Sequence, residues 1–308
     1  MMKKTVLLPL LPALLCAAGC HREAPAVARL DVEPRSVTLA YPQLVPVRLT
    51  WTPVTAAGGE TPSEPQVFLH LLDAKGAVLR TWDHPFPQHW AAGTPVTYDV
   101  KLYQSALAPP LGAGKYRLSV GLYDRGGQRW PLDGLGKPLW HQEYQAAEVT
   151  VPSQAAGPQL TFSPAWLPLE PGSDKQVLAR RRLGDQPGEI RLDAIPGPGT
   201  VWLSFRIPPG NHPDEKVVFH DAGTNSPAAV VRCSCGSVET AISGPGLHEV
   251  EMPVDAAGAG AGCRITLTPN FHILTTGQPQ PWSVAVQIVA WIPAGGASAT
   301  ADPSRNSP

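Results

Sequence analysis

Four side chains in the first half of the chain have the types of a zinc set: His70, Asp83, His84 and His89. Zinc takes imidazole nitrogens and carboxylate oxygens in a tetrahedral shell. The spacing His84-x-x-x-x-His89 fits no rigid binding turn, so no metal is expected there. Asp83 and His84 read instead as strand-end residues that hydrogen-bond loop backbone. A second chemistry for the same region is stacking on sugar faces by Trp82, Trp90, Tyr123, Trp130 and Trp140, with Asp83 and His84 bonding hydroxyls. Trp90, Trp130, Asp83 and His84 are therefore the candidate ligand-binding residues. The competing reading makes Trp90 and Trp130 covers for the ends of a sheet. Cys233, Cys235 and Cys263 form another set. Cys233 and Cys235 are poorly placed to bond each other on a strand, but either bridges to Cys263 if two strands pair. One thiol is then left over, and zinc would lack its fourth ligand. Arg180-Arg181-Arg182 reads as a solvated strand edge that resists edge-to-edge pairing. Pro269-Asn270-Phe271-His272 reads as a turn with Asn270 left-handed. The chain has no Gly-x-Ser-x-Gly, His-Glu-x-x-His, phosphate-cradling Gly-Lys-Ser/Thr or dinucleotide fingerprint. No catalytic residue is assigned and no cofactor is implied. The enzyme alternative is a hydrolase whose carboxylates assemble in space, a pair that carries no short signature.

The elements that must hold these residues are strands. Of 308 residues, 36 are Pro and 29 Gly, about a fifth of the chain against a usual share of roughly 12%. That density breaks helix interiors and excludes a long-helix or coiled-coil protein. The 24 Lys+Arg are balanced by 25 Asp+Glu, which argues against a nucleic-acid partner. A hydrophobic share of 43% is enough to build packed cores. Short alternating runs fill the first half: Val47, Leu49 and Trp51; Tyr98, Val100 and Leu102; Tyr116, Leu118, Val120 and Leu122. Val67–Leu72 and Ala77–Trp82 flank the turn signal Asp73-Ala74-Lys75-Gly76 and predict a hairpin. Similar runs follow at Glu189–Leu192, Val201–Ile207, Val217–Phe219, Ala228–Arg232, His248–Val254, Arg264–Thr268 and Ser283–Ile292. In the last, Val284, Val286, Ile288, Ala290 and Ile292 are expected on one face. The fold class is all-β, with two immunoglobulin-like or jelly-roll-type antiparallel β-sandwich domains. Their expected spans are 29–152 and 159–293, joined by a linker at 153–158 and followed by a disordered tail at 294–308. Small sandwiches on a linker are expected to offer few deep clefts.

Ahead of the first domain, Met1-Met2-Lys3-Lys4 is followed by an apolar run from Val6 to Ala18. A basic start, a short apolar stretch and small residues make a secretory signal over residues 1–19. The run is below the roughly 20 residues that span a bilayer. Ala17-Ala18-Gly19-Cys20 resembles a bacterial lipobox, although Ala17 stands where leucine is usual. The resemblance implies cleavage before Cys20, a lipid on its thiol, and a tether over 20–28. His21 rather than Asp after the cysteine resembles an outer-membrane address. Outside the cytoplasm disulfides are permitted.

The first domain carries Phe68-Leu69-His70-Leu71, Trp82-Asp83-His84, Trp90-x-x-Gly93, Gly114-x-Tyr116-x-Leu118, Gly121-Leu122-Tyr123-Asp124 and Arg129-Trp130-Pro131-Leu132. This set resembles an immunoglobulin-like accessory module of bacterial envelope proteins, often found beside membrane-bound, sugar-related enzymes. The resemblance spans Val67–Leu132 and implies fold, with no catalytic role attached. Tyr116 near a strand start is similar to the tyrosine corner, in which the phenol bonds backbone across a loop. The sequence thus predicts a cell-envelope lipoprotein without catalytic activity, held on the membrane through its lipid. It would bind or scaffold an envelope protein, or, alternatively, an envelope polysaccharide.

Overall fold

The computed structural model describes residues 25–54, 61–153, 159–172, 179–193, 195, 197–221, 228–236 and 238–294. The expected signal segment, Cys20, residues 154–158 of the expected linker and the expected tail beyond 294 lie outside them. Strand is almost the only regular structure among the described residues, which form two β-sandwiches.

The first sandwich uses eleven strands: β1 (Ala28–Glu33), β2 (Ser36–Thr38), β3 (Leu44–Pro53), β4 (Gln66–Leu72), β5 (Val78–Thr81), β6 (His84–Pro85), β7 (Val96–Tyr103), β8 (Gly114–Tyr123), β9 (Arg129–Trp130), β10 (Leu132–Asp133) and β11 (Tyr144–Val151). One sheet runs β10-β1-β3-β7 and the other β2-β11-β8-β4-β5, with β6 beside β4 and β9 beside β8. Alternation drives the packing. Val47, Leu49 and Trp51 of β3 meet Leu69, Leu71, Leu118, Val120 and Val149 of the facing sheet in one core. The expected hairpin forms between β4 and β5. Asp73 Oδ1 accepts from the Lys75 and Ala77 amides, and Gly76 takes the left-handed φ of +84° that closes the turn. The Tyr116 hydroxyl donates to the Gly112 carbonyl at 2.6 Å, the expected corner bond. Val27 and Ala28, which the sequence assigned to the expected tether, are buried in this core.

The second sandwich holds β12 (Gln159–Phe162), β13 (Trp166–Glu170), β14 (Arg180–Leu183), β15 (Gly188–Asp193), β16 (Gly199–Ile207), β17 (Glu215–Phe219), β18 (Ala229–Cys233), β19 (Val238–Ile242), β20 (Gly246–Val254), α1 (Ala256–Ala261), β21 (Cys263–Pro269), β22 (Phe271–Thr275) and β23 (Ala285–Pro293). Its sheets run β12-β15-β21-β18-β19 and β13-β14-β23-β16-β20, and β17 pairs with β22. Two expectations are corrected. The three arginines are not an edge: β14 lies between β13 and β23. They are satisfied there, because Glu170 pairs with Arg180 and Arg182, and Arg181 stacks 4.2 Å over Phe162. Asn270 is not left-handed. It ends β21 by accepting from the Asp221 amide, and Phe271 and His272 already belong to β22.

A bulge decides how β23 is used. Register slips between Ser204 and Phe205 of β16, which pair with Ile288 and Val286, so Gln287 is skipped. Val284 and Val286 therefore enter the domain core together with Val289 and Trp291. Ile288, Ala290 and Ile292 turn to the opposite face, so the expected single face is split. That second face is buried against the first domain, in a cluster with Leu44, Tyr103 and Trp202.

Candidate functional site in the groove between the domains

The domain contact extends beyond that cluster. The Trp291 amide donates to the Pro42 carbonyl at 2.7 Å, and the Ala106 amide to the Val289 carbonyl at 2.8 Å. Leu107, which follows β7, is buried in the core of the second domain. Lys101 of β7 pairs with Glu249 at 2.7 Å and Glu251 at 3.4 Å, and its ammonium sits 4.9 Å from the Trp202 ring. A run of rings crosses the boundary: Trp82 meets Tyr103 edge-on at 6.1 Å, and Tyr103 meets Trp202 at 5.6 Å. Beside this seam lies a groove of about 840 Å³, within the size range of ligand pockets. Trp82, Asp83, His84, Tyr98 and Tyr123 line it from the first domain, and Trp202, Leu247 and Glu249 from the second. The sandwiches form this groove only by packing side by side.

The candidate residues divide. Asp83 and His84 line the groove, but both are held by protein. Asp83 Oδ1 accepts from the Leu69 amide at 3.2 Å. His84 bonds the Trp82 carbonyl through Nδ1 and the Tyr98 hydroxyl through Nε2, each at 2.8 Å. Burial pushes the Tyr98 phenol up from its ordinary value, and the Tyr103 phenol up to about 12, so both stay neutral. Trp130 is 7% exposed and offers no face to a ligand. Trp90 packs edge-on against Phe86 at 5.0 Å. Both act as sheet covers. Half-buried Trp82, Tyr98, Tyr103 and Tyr123 border the groove from the first domain, and buried Trp202 from the second. Trp140, 65% exposed, stands apart over a smaller hollow of about 430 Å³ with Arg129 and His141.

Directly behind Asp83, on the outer face of the seven-stranded sheet, the first domain holds an ionic cluster. His70 lies between Asp83, at 3.4 Å from Nε2, and Glu143, at 3.5 Å from Nδ1. The Nδ1 contact lacks hydrogen-bond alignment and acts through charge. Ser119 donates to Glu143 at 2.5 Å, and Arg129 stands 3.9 Å from the same carboxylate. Burial works against a charged His70, but Asp83 and Glu143 outweigh it and hold the ring at about 9. Burial also opposes a charged Glu143, and His70, Ser119 and Arg129 outweigh it and lower its pKa. An imidazolium at neutral pH is no general base, and the Ser119 hydroxyl bonds the Glu143 carboxylate and, at 3.3 Å, the His70 backbone carbonyl, not the His70 ring. Phe68 roofs the cluster by stacking on His70 at 4.9 Å, with Arg129 4.7 Å above it. The turn before Glu143 puts two successive non-glycine residues, His141 and Gln142, at φ of 38° and 59°, as a tight hairpin turn requires. The sequence grouped His70 with Asp83 but gave no role to Glu143, Ser119 or Arg129. Glu143 and Ser119 carry no motif, Arg129 enters only as part of the envelope-module resemblance, and all three reach His70 through sheet pairing.

In the second domain Cys235 and Cys263 form a disulfide with Cα atoms 5.3 Å apart, and Cys233 is the leftover thiol. Cys233, Cys235 and Cys263 are the one group among the described residues whose ligand atoms lie close enough to hold a metal ion. His70, Asp83, His84 and His89 do not form such a group. No protein-family model matches the chain, and no curated protein matches it.

Proposed function

We propose that this protein is a lipid-anchored envelope protein that presents its two β-sandwiches as one binding or scaffolding unit. The groove at their junction is the binding surface. The observation that carries this reading is the groove itself: aromatic rings and fixed polar groups from both domains border one cavity of about 840 Å³. The His70 cluster supports binding over chemistry, since its histidine is held in the charged form and its serine bonds the Glu143 carboxylate and the His70 backbone carbonyl, not the ring. The anchor rests on Cys20 and the residues before it, which resemble a lipobox. Stable anchoring needs more than a single acyl chain, which a lipobox cysteine supplies once it is fully modified.

A second reading makes the ligand an envelope polysaccharide. Trp82, Tyr98 and Tyr123 favour it, because rings set beside Asp83 and Glu249 suit the apolar faces and hydroxyls of sugars. The anchoring claim is tested by fractionating cells that express the wild type or Cys20→Ala. The wild type is expected in the membrane fraction with a mass raised by lipid. Cys20→Ala, or treatment with the lipoprotein signal-peptidase inhibitor globomycin, is expected to abolish the mature lipidated form. Unchanged partition and mass would remove the anchor from this account.

A further inference from the structure

The three cysteines of the second domain meet at one point although they lie on different elements. Cys233 ends β18 and Cys263 begins the neighbouring β21. Cys233 pairs with Ile265, so Cys263 lies two residues along on the same face. Cys235 lies in the turn that leads to β19, against α1. A Cβ built on Gly258 of that helix would stand only 2.8 Å from the Cys235 Cβ. All three residues are buried. The Cys233 sulfur is 3.2 Å from the Cys235 sulfur and 3.2 Å from the Cys263 sulfur.

We infer that this is a thiol–disulfide exchange site, in which Cys263 is bonded by Cys235 in one form and by Cys233 in the other. Cys233 loses its proton and attacks the Cys263 sulfur. The Cys235–Cys263 bond breaks, the Cys233–Cys263 bond forms, and Cys235 leaves as a thiolate that takes up a proton. One disulfide and one thiol are present before and after, so no electrons enter or leave. In-line attack needs the Cys235 sulfur to swing out of the triangle. Cys235 sits in a turn and not in the strand ladder, so a side-chain rotation there breaks no strand pairing. The two forms differ in what they tie. The first fastens the turn beneath α1 to β21, and the second moves the bond into the sheet and releases the turn. Burial pushes the Cys233 thiol up, so its thiolate is scarce near neutral pH, and acid removes the remainder and stops the exchange.

The test uses the full-length oxidised protein, quenched in acid, alkylated with N-ethylmaleimide during denaturation, and digested without reduction. Fragmentation mass spectrometry then locates the label. We expect label on Cys233 in some molecules and on Cys235 in others, with Cys263 always in a disulfide. Label on Cys233 alone, or on all three, would overturn the inference. Two variants give an independent reading. Cys235→Ser is expected to form Cys233–Cys263, and Cys233→Ser to hold Cys235–Cys263. A folded Cys235→Ser protein with two free thiols would also overturn it. Should that variant not fold, the wild-type label map decides alone.

Discussion

His70 is the residue on which the first domain concentrates its charge. Held at about 9 against an ordinary 6.5, it is more basic in the folded state than in the unfolded one. Its contribution to stability is therefore complete below about pH 6.5 and lost as pH rises through about 9. Glu143 is shifted the other way, so its contribution is present above its ordinary 4.5 and lost as pH falls. His70→Gln is expected to cost about 1–3 kcal/mol near pH 6. Denaturant titrations across pH 6 to 10 should show the wild type losing that advantage while the variant curve stays flatter. Parallel curves would mean that His70 is not charged in the fold. The sequence grouped His70 with Asp83 because Asp83 directly follows the hairpin that holds His70. It was silent on Glu143, 73 residues further along than His70, because a lone glutamate ahead of a strand has no local signature. Tryptophan was the least legible type. Trp90 and Trp130 look like Trp82 in sequence, yet sheet packing buries Trp130 and leaves Trp82 at the groove.

Among the elements, β8 shows how tightly the outer face of the seven-stranded sheet is built. A Cβ at Gly121 would lie 2.0 Å from the Phe68 ring and 2.8 Å from the Gln142 carbonyl. Gly121 thus gives Phe68 the space in which it roofs His70. Gly121→Ala is expected to cost about 1–3 kcal/mol through overpacking and to shift the His70 imidazole resonances. Chemical denaturation and NMR check both, and an unchanged denaturation midpoint would contradict the packing described. Alternation made β3, β8, β15 and β16 legible, since each keeps one apolar face. The period of two could not reveal the bulge opposite Ser204. One skipped residue sends Ile288, Ala290 and Ile292 to the far side. Nor could Arg180-Arg181-Arg182 read as an inner strand, because its neutralising partners come from β13 and from the ring of Phe162.

For the whole molecule, the consequence of that bulge is a junction rather than a flexible string. Ile288 is 5% exposed only because the first domain covers it. Ile288→Arg places an unpaired charge in the junction, but the same side chain would be tolerated on a separated second domain. Calorimetry is expected to show one unfolding transition for the wild type and two for the variant. A single transition in both would mean that the domains do not depend on this contact. All-β class and a sandwich architecture were legible from alternation and punctuation by Pro and Gly. The groove was not, because it belongs to neither domain and arises only where Lys101, Tyr103 and Trp202 meet.

The groove as binding surface is the central claim, and photocrosslinking in living cells addresses it most directly. A benzophenone side chain replaces Tyr123 in the groove, or Leu169, which is exposed on β13 of the second domain. The account predicts heavier adducts from position 123 and none from position 169. Loss of the adduct on protease treatment would assign a protein partner, and loss on periodate treatment a polysaccharide. No adduct from position 123, or equal adducts from both positions, would contradict the groove as the binding surface.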